Sequence, residues 1–174
     1  MLDPMTDFTA RHAALTSEPS RDVAGDPARL ARVERTRTEM MAQGAALRAT
    51  LAATMEPVAA LADRLASRPL GRIVVTGCGD SWFVGQAVRH ALERLTGLPV
   101  EGAQALDYAA YGAGAADEGT LVLGLSSGGN TPAVMNALQA ARARGAFAVG
   151  ISNTPGSPVL QSFDAGLVVH ATRK

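Results

Sequence analysis

The sequence predicts an α/β chain: a three-layer, doubly wound, five-stranded parallel sheet of order 2-1-3-4-5, with helices at its N-terminal side. Three observations point there. From Gly71 onward, short β-branched runs alternate with stretches of helical periodicity, and parallel strands need crossovers of about that length. A polar loop containing glycine follows the first and the third run, the two strands that adjoin where such a sheet reverses direction. Before Gly71, apolar residues recur in steps of three or four, as an amphipathic helix requires.

Residues 1–27 mix Pro, Ser, Asp and Gly without periodicity and read as a flexible tail. Residues 28–67 form an N-terminal helical segment whose stripe is Leu47, Leu51, Met55, Val58, Leu61 and Leu65. Pro57 interrupts it, which predicts two helices, 28–54 and 57–67, packing on the main domain or on a second subunit. The third region, 68–174, supplies the sheet. Its strands are expected in "RIVVTG" (72–77), "LPVEGAQ" (98–104), "TLVLGLS" (120–126), "AFAVGIS" (146–152) and "AGLVVH" (165–170). Helices are expected near 82–96, 105–111, 132–144 and 156–163. The resulting sheet order is that of flavodoxin-like folds.

Composition excludes several functions. In 174 residues, 16 basic and 16 acidic side chains cancel, so no broad positive field exists to draw in nucleic acid or anionic lipid. The lone Cys78 cannot form an internal disulfide, and His12, His90 and His170 are too scattered for a zinc site. No metal and no cofactor is expected. The opening "MLDPMTDFTARH" lacks the basic start and apolar run of a signal peptide. No later window stays apolar for the roughly 18 residues of a membrane span. A cytoplasmic location follows as the expectation.

Two loops carry the chemistry. The first strand ends in "TGCGDSW", Thr76 to Trp82, which departs from the dinucleotide fingerprint G-x-G-x-x-G because Trp82 stands in place of the third glycine. What remains is a tight glycine turn with Asp80 and Ser81 opening a helix, where either side chain could simply be an N-cap. The second loop is "LSSGGNTP", Leu125 to Pro132. Thr131 reads as an N-cap and Pro132 as the first helical residue, so the positive end of the helix dipole and its free N–H groups point into Ser126, Ser127, Gly128, Gly129 and Asn130. Hydroxyls, bared amides and a helix N-terminus together suit a phosphate. No lysine precedes Thr131, so this is no Walker loop, and a phosphomonoester is the better guest than a nucleotide. The competing reading is a polar turn with a threonine cap.

A third loop, "SNTPGSP" (152–158), reads as a turn leading into a short helix that could line the same rim. No histidine adjoins Cys78 in sequence, so Cys78 reads as a small residue of the cleft wall rather than a nucleophile. His90 reads as a helix-surface residue and His170 as a strand end.

With these residues in view, the chain resembles the sugar isomerase (SIS) domain family. "GCGDS" resembles that family's glycine-rich turn ending in serine, "LSSGGNT" its Ser-x-Ser-Gly-x-Thr phosphate loop, and "GISNTPGSPVLQSFDAGLVV" its following strand, asparagine turn and last strand. The resemblance covers residue 35 or so to the end. It is greatest to the first SIS domain of tandem sugar-phosphate isomerases and amino-sugar-phosphate deaminases. It implies that Ser126, Ser127 and Thr131 hold a phosphate and that Cys78, Gly79, Asp80 and Ser81 meet the sugar or the phosphate. Gly128 stands where the family usually has a serine, which leaves a backbone amide in place of a hydroxyl. The resemblance also implies a homodimer and a domain that stops short of a second SIS half. Ammonia transfer from glutamine is not expected without an N-terminal cysteine nucleophile. Aldose–ketose isomerisation needs a base, and no glutamate falls in the two loops. An isomerase or deaminase and a non-catalytic sugar-phosphate-sensing module therefore both stand as readings.

Overall fold

The computed structural model describes residues 27–171. The tail expected over 1–27, His12 and the last three residues thus lie outside the described residues, except for Pro27. The chain divides after Ala42 into two compact units. Residues 27–42 of the first are helical, with an exposed ion pair of 3.6 Å between Arg37 and Glu34.

The second unit is built on five strands: β1 (Arg72–Gly77), β2 (Val100–Gln104), β3 (Thr120–Leu125), β4 (Phe147–Ser152) and β5 (Ala165–Val168). They form one all-parallel sheet of order β2-β1-β3-β4-β5, as the alternation of runs implied. The central rungs are apolar on both faces because both are covered, which is why β1 reads as the unbroken run Ile-Val-Val rather than as an alternation. Val74, Val122, Ala148, Val134 and Leu138 belong to one core cluster, and Ile73, Val75, Leu121, Phe147 and Val149 to the other.

Helices α2 (Asp80–Thr96), α3 (Ala105–Ala110), α4 (Pro132–Arg142) and α5 (Pro158–Gln161) connect the strands. The 3₁₀ turn Gly112–Ala115 follows α3. Each boundary has a local cause. Gly97, at φ 71°, closes α2 by donating its N–H to the Glu93 carbonyl. The Gln104 side chain accepts from the amides of Leu106 and Asp107 at the start of α3. Helix α5 is shorter than the expected 156–163, since Pro158 fixes its start and the chain turns at Ser162 toward β5.

Helix α1 (Pro27–Ala66) runs unbroken through Pro57, contrary to the two helices expected. Proline removes only its own N–H from the ladder. Pro57 is exposed, so water can satisfy the carbonyl left over one turn back. The flanking Ala, Leu, Met and Glu are strong helix formers. Beyond Pro57, Leu61 is buried and Leu65 packs beside it against the second cluster. Arg64 ties this end down, donating to the Asp164 carbonyl at 2.8 Å while lying over the Phe147 ring. The rest of the stripe, Leu47, Leu51, Met55 and Val58, is exposed.

The open edge at β2 is covered by side chains. The Gly102 carbonyl accepts from Trp82 Nε1 at 3.2 Å and from Gln86 Nε2 at 2.7 Å. The Val100 amide donates to Glu93 Oε1 at 3.4 Å. All three side chains come from α2, so one helix both crosses over and shields the edge strand.

Candidate functional site

The site arises where the sheet reverses. β1 and β3 are neighbours, and Gly77 pairs with Leu125 as the last rung between them. The chain therefore leaves both strands at one level. After β1 it turns at Gly79, whose φ of 54° is a left-handed value that only glycine adopts readily. Helix α2 starts at once, with Gly79 in the cap position and no side-chain cap. Asp80 and Ser81 are thus first-turn residues and not caps, contrary to the capping alternative, because the Cys78 and Gly79 carbonyls already receive the amides of Ser81, Trp82 and Phe83. Asp80 places its carboxylate near the positive end of the helix.

After β3 the chain wraps around the start of α4. Thr131 does hold the N-cap position and Pro132 the first helical one. Its hydroxyl, however, caps nothing: it lies 2.8 Å from Ser126 Oγ. Ser126, 3% exposed, also receives the Gly129 amide on both its Oγ and its carbonyl oxygen, each at 3.0 Å. Gly129 has φ 71°, and a Cβ there would strike the Ser157 and Ser152 hydroxyls, so the loop closes only over glycine. Among the described residues, the amides of Ser127, Gly128 and Asn130 have no backbone acceptor.

The third loop is more than a turn. Ser152 Oγ and Thr154 Oγ1 both donate to the Ser127 carbonyl, at 3.0 and 2.9 Å. Ser127 Oγ donates to Asn153 Oδ1 at 3.1 Å, and the Val159 amide to the Gly129 carbonyl at 2.9 Å. Ser157 is buried, with a hydroxyl that has no partner.

A cavity of about 310 Å³ opens between these segments, lined by Ser81, Ser126, Ser127, Ser152 and Asn153 on its polar side. Val84 and Val169 supply apolar wall. The structure therefore brings Ser81, Ser126 and Ser127 to one cavity. Gly79, Asp80, Gly128 and Thr131 lie beside it without lining it. Cys78 is no part of the wall either: half-buried, it packs against the first core cluster. His90 is exposed on α2 beside Glu93, and His170 lies two residues beyond β5 with its amide on Thr50 Oγ1. The sequence offered the 152–158 loop as a possible part of the rim but preferred a plain turn there, and so did not name Ser152 and Asn153 as wall residues. The available signal was their position directly after β4, level with the other two loops. Among the described residues, no group of three or more His, Cys, Asp or Glu could hold a metal ion, and no helix is long and apolar enough to cross a membrane.

Comparison with known proteins bears on the fold and the family. The SIS domain model matches residues 68–174, which take in the whole sheet and all three loops. The chain belongs to the SIS domain family. Among relatives of this SIS domain is a glutamine–fructose-6-phosphate aminotransferase (isomerizing) of Corynebacterium glutamicum, 35% identical over 109 residues, covering 63% of this chain and 17% of that protein. A mouse glutamine–fructose-6-phosphate aminotransferase (isomerizing) 2 is 36% identical over 106 residues, covering 58% of this chain and 14% of that protein. The SIS domain chain thus spans under a quarter of the length of these curated relatives. Its fold is also that of tagatose-6-phosphate ketose/aldose isomerase from Escherichia coli, with TM-score 0.67, 19% identity and coverage of 79% of this chain and 40% of that one. It is likewise that of glucosamine-6-phosphate deaminase from Thermotoga maritima, with TM-score 0.56, 22% identity and coverage of 60% and 33%.

Proposed function

We propose that this SIS domain binds a phosphorylated sugar or amino sugar, with the phosphate at the Ser126–Thr131 loop and the sugar toward Ser81 and the β4 loop. The observation that carries the reading is the cluster of hydroxyls and of amides without a backbone acceptor at the N-terminus of α4, opening on a cavity at the reversal of the sheet. Phosphate charge is stabilised there by the helix end and by donors that need no reorganisation. The names of its relatives support the substrate class: fructose 6-phosphate, tagatose 6-phosphate and glucosamine 6-phosphate. In this reading the chain forms the phosphate-binding half of a ketose/aldose isomerase or of an amino-sugar-phosphate deaminase, acting in the cytoplasm as a homodimer.

One observation favours a second reading, a non-catalytic sugar-phosphate-sensing module. Among the described residues, none that lines the cavity is an acid, a histidine or a lysine, whereas isomerisation moves a proton between adjacent carbons and needs a base. A base contributed by another chain reconciles the two. The exposed stripe of Leu47, Leu51, Met55 and Val58 is the face that would receive one.

A thermal-shift panel tests the binding reading, with glucosamine 6-phosphate and fructose 6-phosphate set against their unphosphorylated sugars. A ligand that binds only the folded form raises its apparent stability. Stabilisation by the phosphorylated ligands alone, lost in Thr131→Ala, is expected; equal responses from both sets would contradict it.

A further inference from the structure

We propose that Ser152 and Thr154 are positioning residues that orient the peptide amides of the 126–131 loop toward an anion. This inference rests on the phosphate reading above and assigns a role to two residues of the neighbouring β4 loop. The Ser127 carbonyl has two lone pairs, and both are engaged from one side, by Ser152 Oγ at 3.0 Å and Thr154 Oγ1 at 2.9 Å. Ser152 is itself held: its oxygen accepts the Thr154 amide at 3.0 Å, which leaves its proton to point at Ser127. A trans peptide directs its C=O and N–H to opposite sides. Fixing the Ser127 carbonyl toward residues 152–154 therefore turns the Gly128 N–H to the exposed side of the loop.

The same device repeats two residues on. The Val159 amide holds the Gly129 carbonyl at 2.9 Å, which turns the Asn130 N–H outward in the same way. Between them the Gly129 N–H is turned inward, onto Ser126. Two outward amides flank one inward amide, at the positive end of the 11-residue helix α4. Gly128 carries no hydroxyl, so its amide is the donor it has to offer, and the direction of that one peptide decides whether position 128 contributes to anion binding at all. An unheld Ser127–Gly128 peptide could rotate and present its carbonyl dipole to the anion instead.

The test uses the full chain, ¹⁵N-labelled, titrated with inorganic phosphate and with glucosamine 6-phosphate. Four forms are compared: wild type, Ser152→Ala/Thr154→Val, Thr154→Ser and Thr131→Val. In wild type the Gly128 and Asn130 amide resonances move downfield with phosphate. In the double variant the Gly128 shift is lost and the dissociation constant rises about tenfold, while Thr154→Ser, which keeps the hydroxyl, stays within about twofold of wild type. Should the double variant fail to fold, Ser152→Ala and Thr154→Val are read singly, with a smaller rise expected of each. Wild-type affinity and an intact Gly128 shift in the folded variants would overturn the inference, as would a Thr154→Ser protein as weak as the double variant. These results leave the phosphate reading standing if Thr131→Val still loses binding. No phosphate response in wild type would overturn both.

Discussion

The hydroxyl oxygens of Ser126 and Thr131 lie 2.8 Å apart across the mouth of α4. The pair closes the loop at its two ends, since Ser126 is the first residue after β3 and Thr131 the last before the helix. Thr131→Val keeps the shape and deletes one hydrogen bond, so a loss of about 1 kcal/mol of stability is expected. Ser126→Ala removes that bond and one of two acceptors of the Gly129 amide, so its loss is expected to be greater, about 2 kcal/mol. Urea unfolding with unchanged slope checks both.

Gly129 admits no side chain. Alanine there meets a positive φ and collides with Oγ and Cβ of Ser157. Gly129→Ala is expected to destabilise by about 3 kcal/mol or more. Ser157→Ala does not rescue it, because the Cβ of residue 157 remains. Ser157→Ala alone removes a buried hydroxyl that has no partner and is expected to be neutral or stabilising. Thermal melts of the two single variants and the double variant decide the matter.

Tyr108 is buried in the first core cluster with an unpartnered hydroxyl. Burial pushes its pKa above the ordinary tyrosine value, a shift that Arg72 opposes and Glu101 reinforces. The folded chain then keeps a proton that the unfolded chain gives up. Stability is complete below the unfolded value near 10 and falls as the pH rises toward the folded one. Tyr108→Phe is expected to remove this alkaline loss while leaving stability at neutral pH within about 1 kcal/mol. Unfolding midpoints from pH 7 upward measure it.

Glu93 shows the opposite sign. A hydrogen bond from His90 holds its carboxyl below the ordinary value, helped by the Val100 amide and Arg89 against some desolvation. Its contribution is present above the unfolded pKa and is lost as the pH falls through the folded one. His90→Ala is expected to raise the Glu93 titration midpoint, as followed by carboxyl ¹³C resonances, without changing the fold. An unmoved midpoint would mean that His90 is not the cause.

The sheet was legible because its signals are local. "RIVVTG" and "TLVLGLS" carry their strand character in β-branched residues, and the polar loops behind them lie on neighbouring strands once the order is known. The start of α4 was legible for the same reason, since Thr131-Pro132 marks a helix start in two residues. The grip of Ser152 and Thr154 on the Ser127 carbonyl was not, because it spans 25 and 27 positions and depends on the register of β3 with β4. Pro57 misled because its local penalty is outweighed by the anchorage of Leu61 and Arg64 on the sheet. The packing of Cys78 against the first core cluster was not legible either, because it depends on tertiary contacts.

The screening of β2 by α2 also limits how this molecule can meet another. A strand arriving at Gly102 must first displace Trp82 and Gln86, and the opposite border is the four-residue β5. Fibre-like growth by strand addition is thus closed off at one side and given a short foothold at the other.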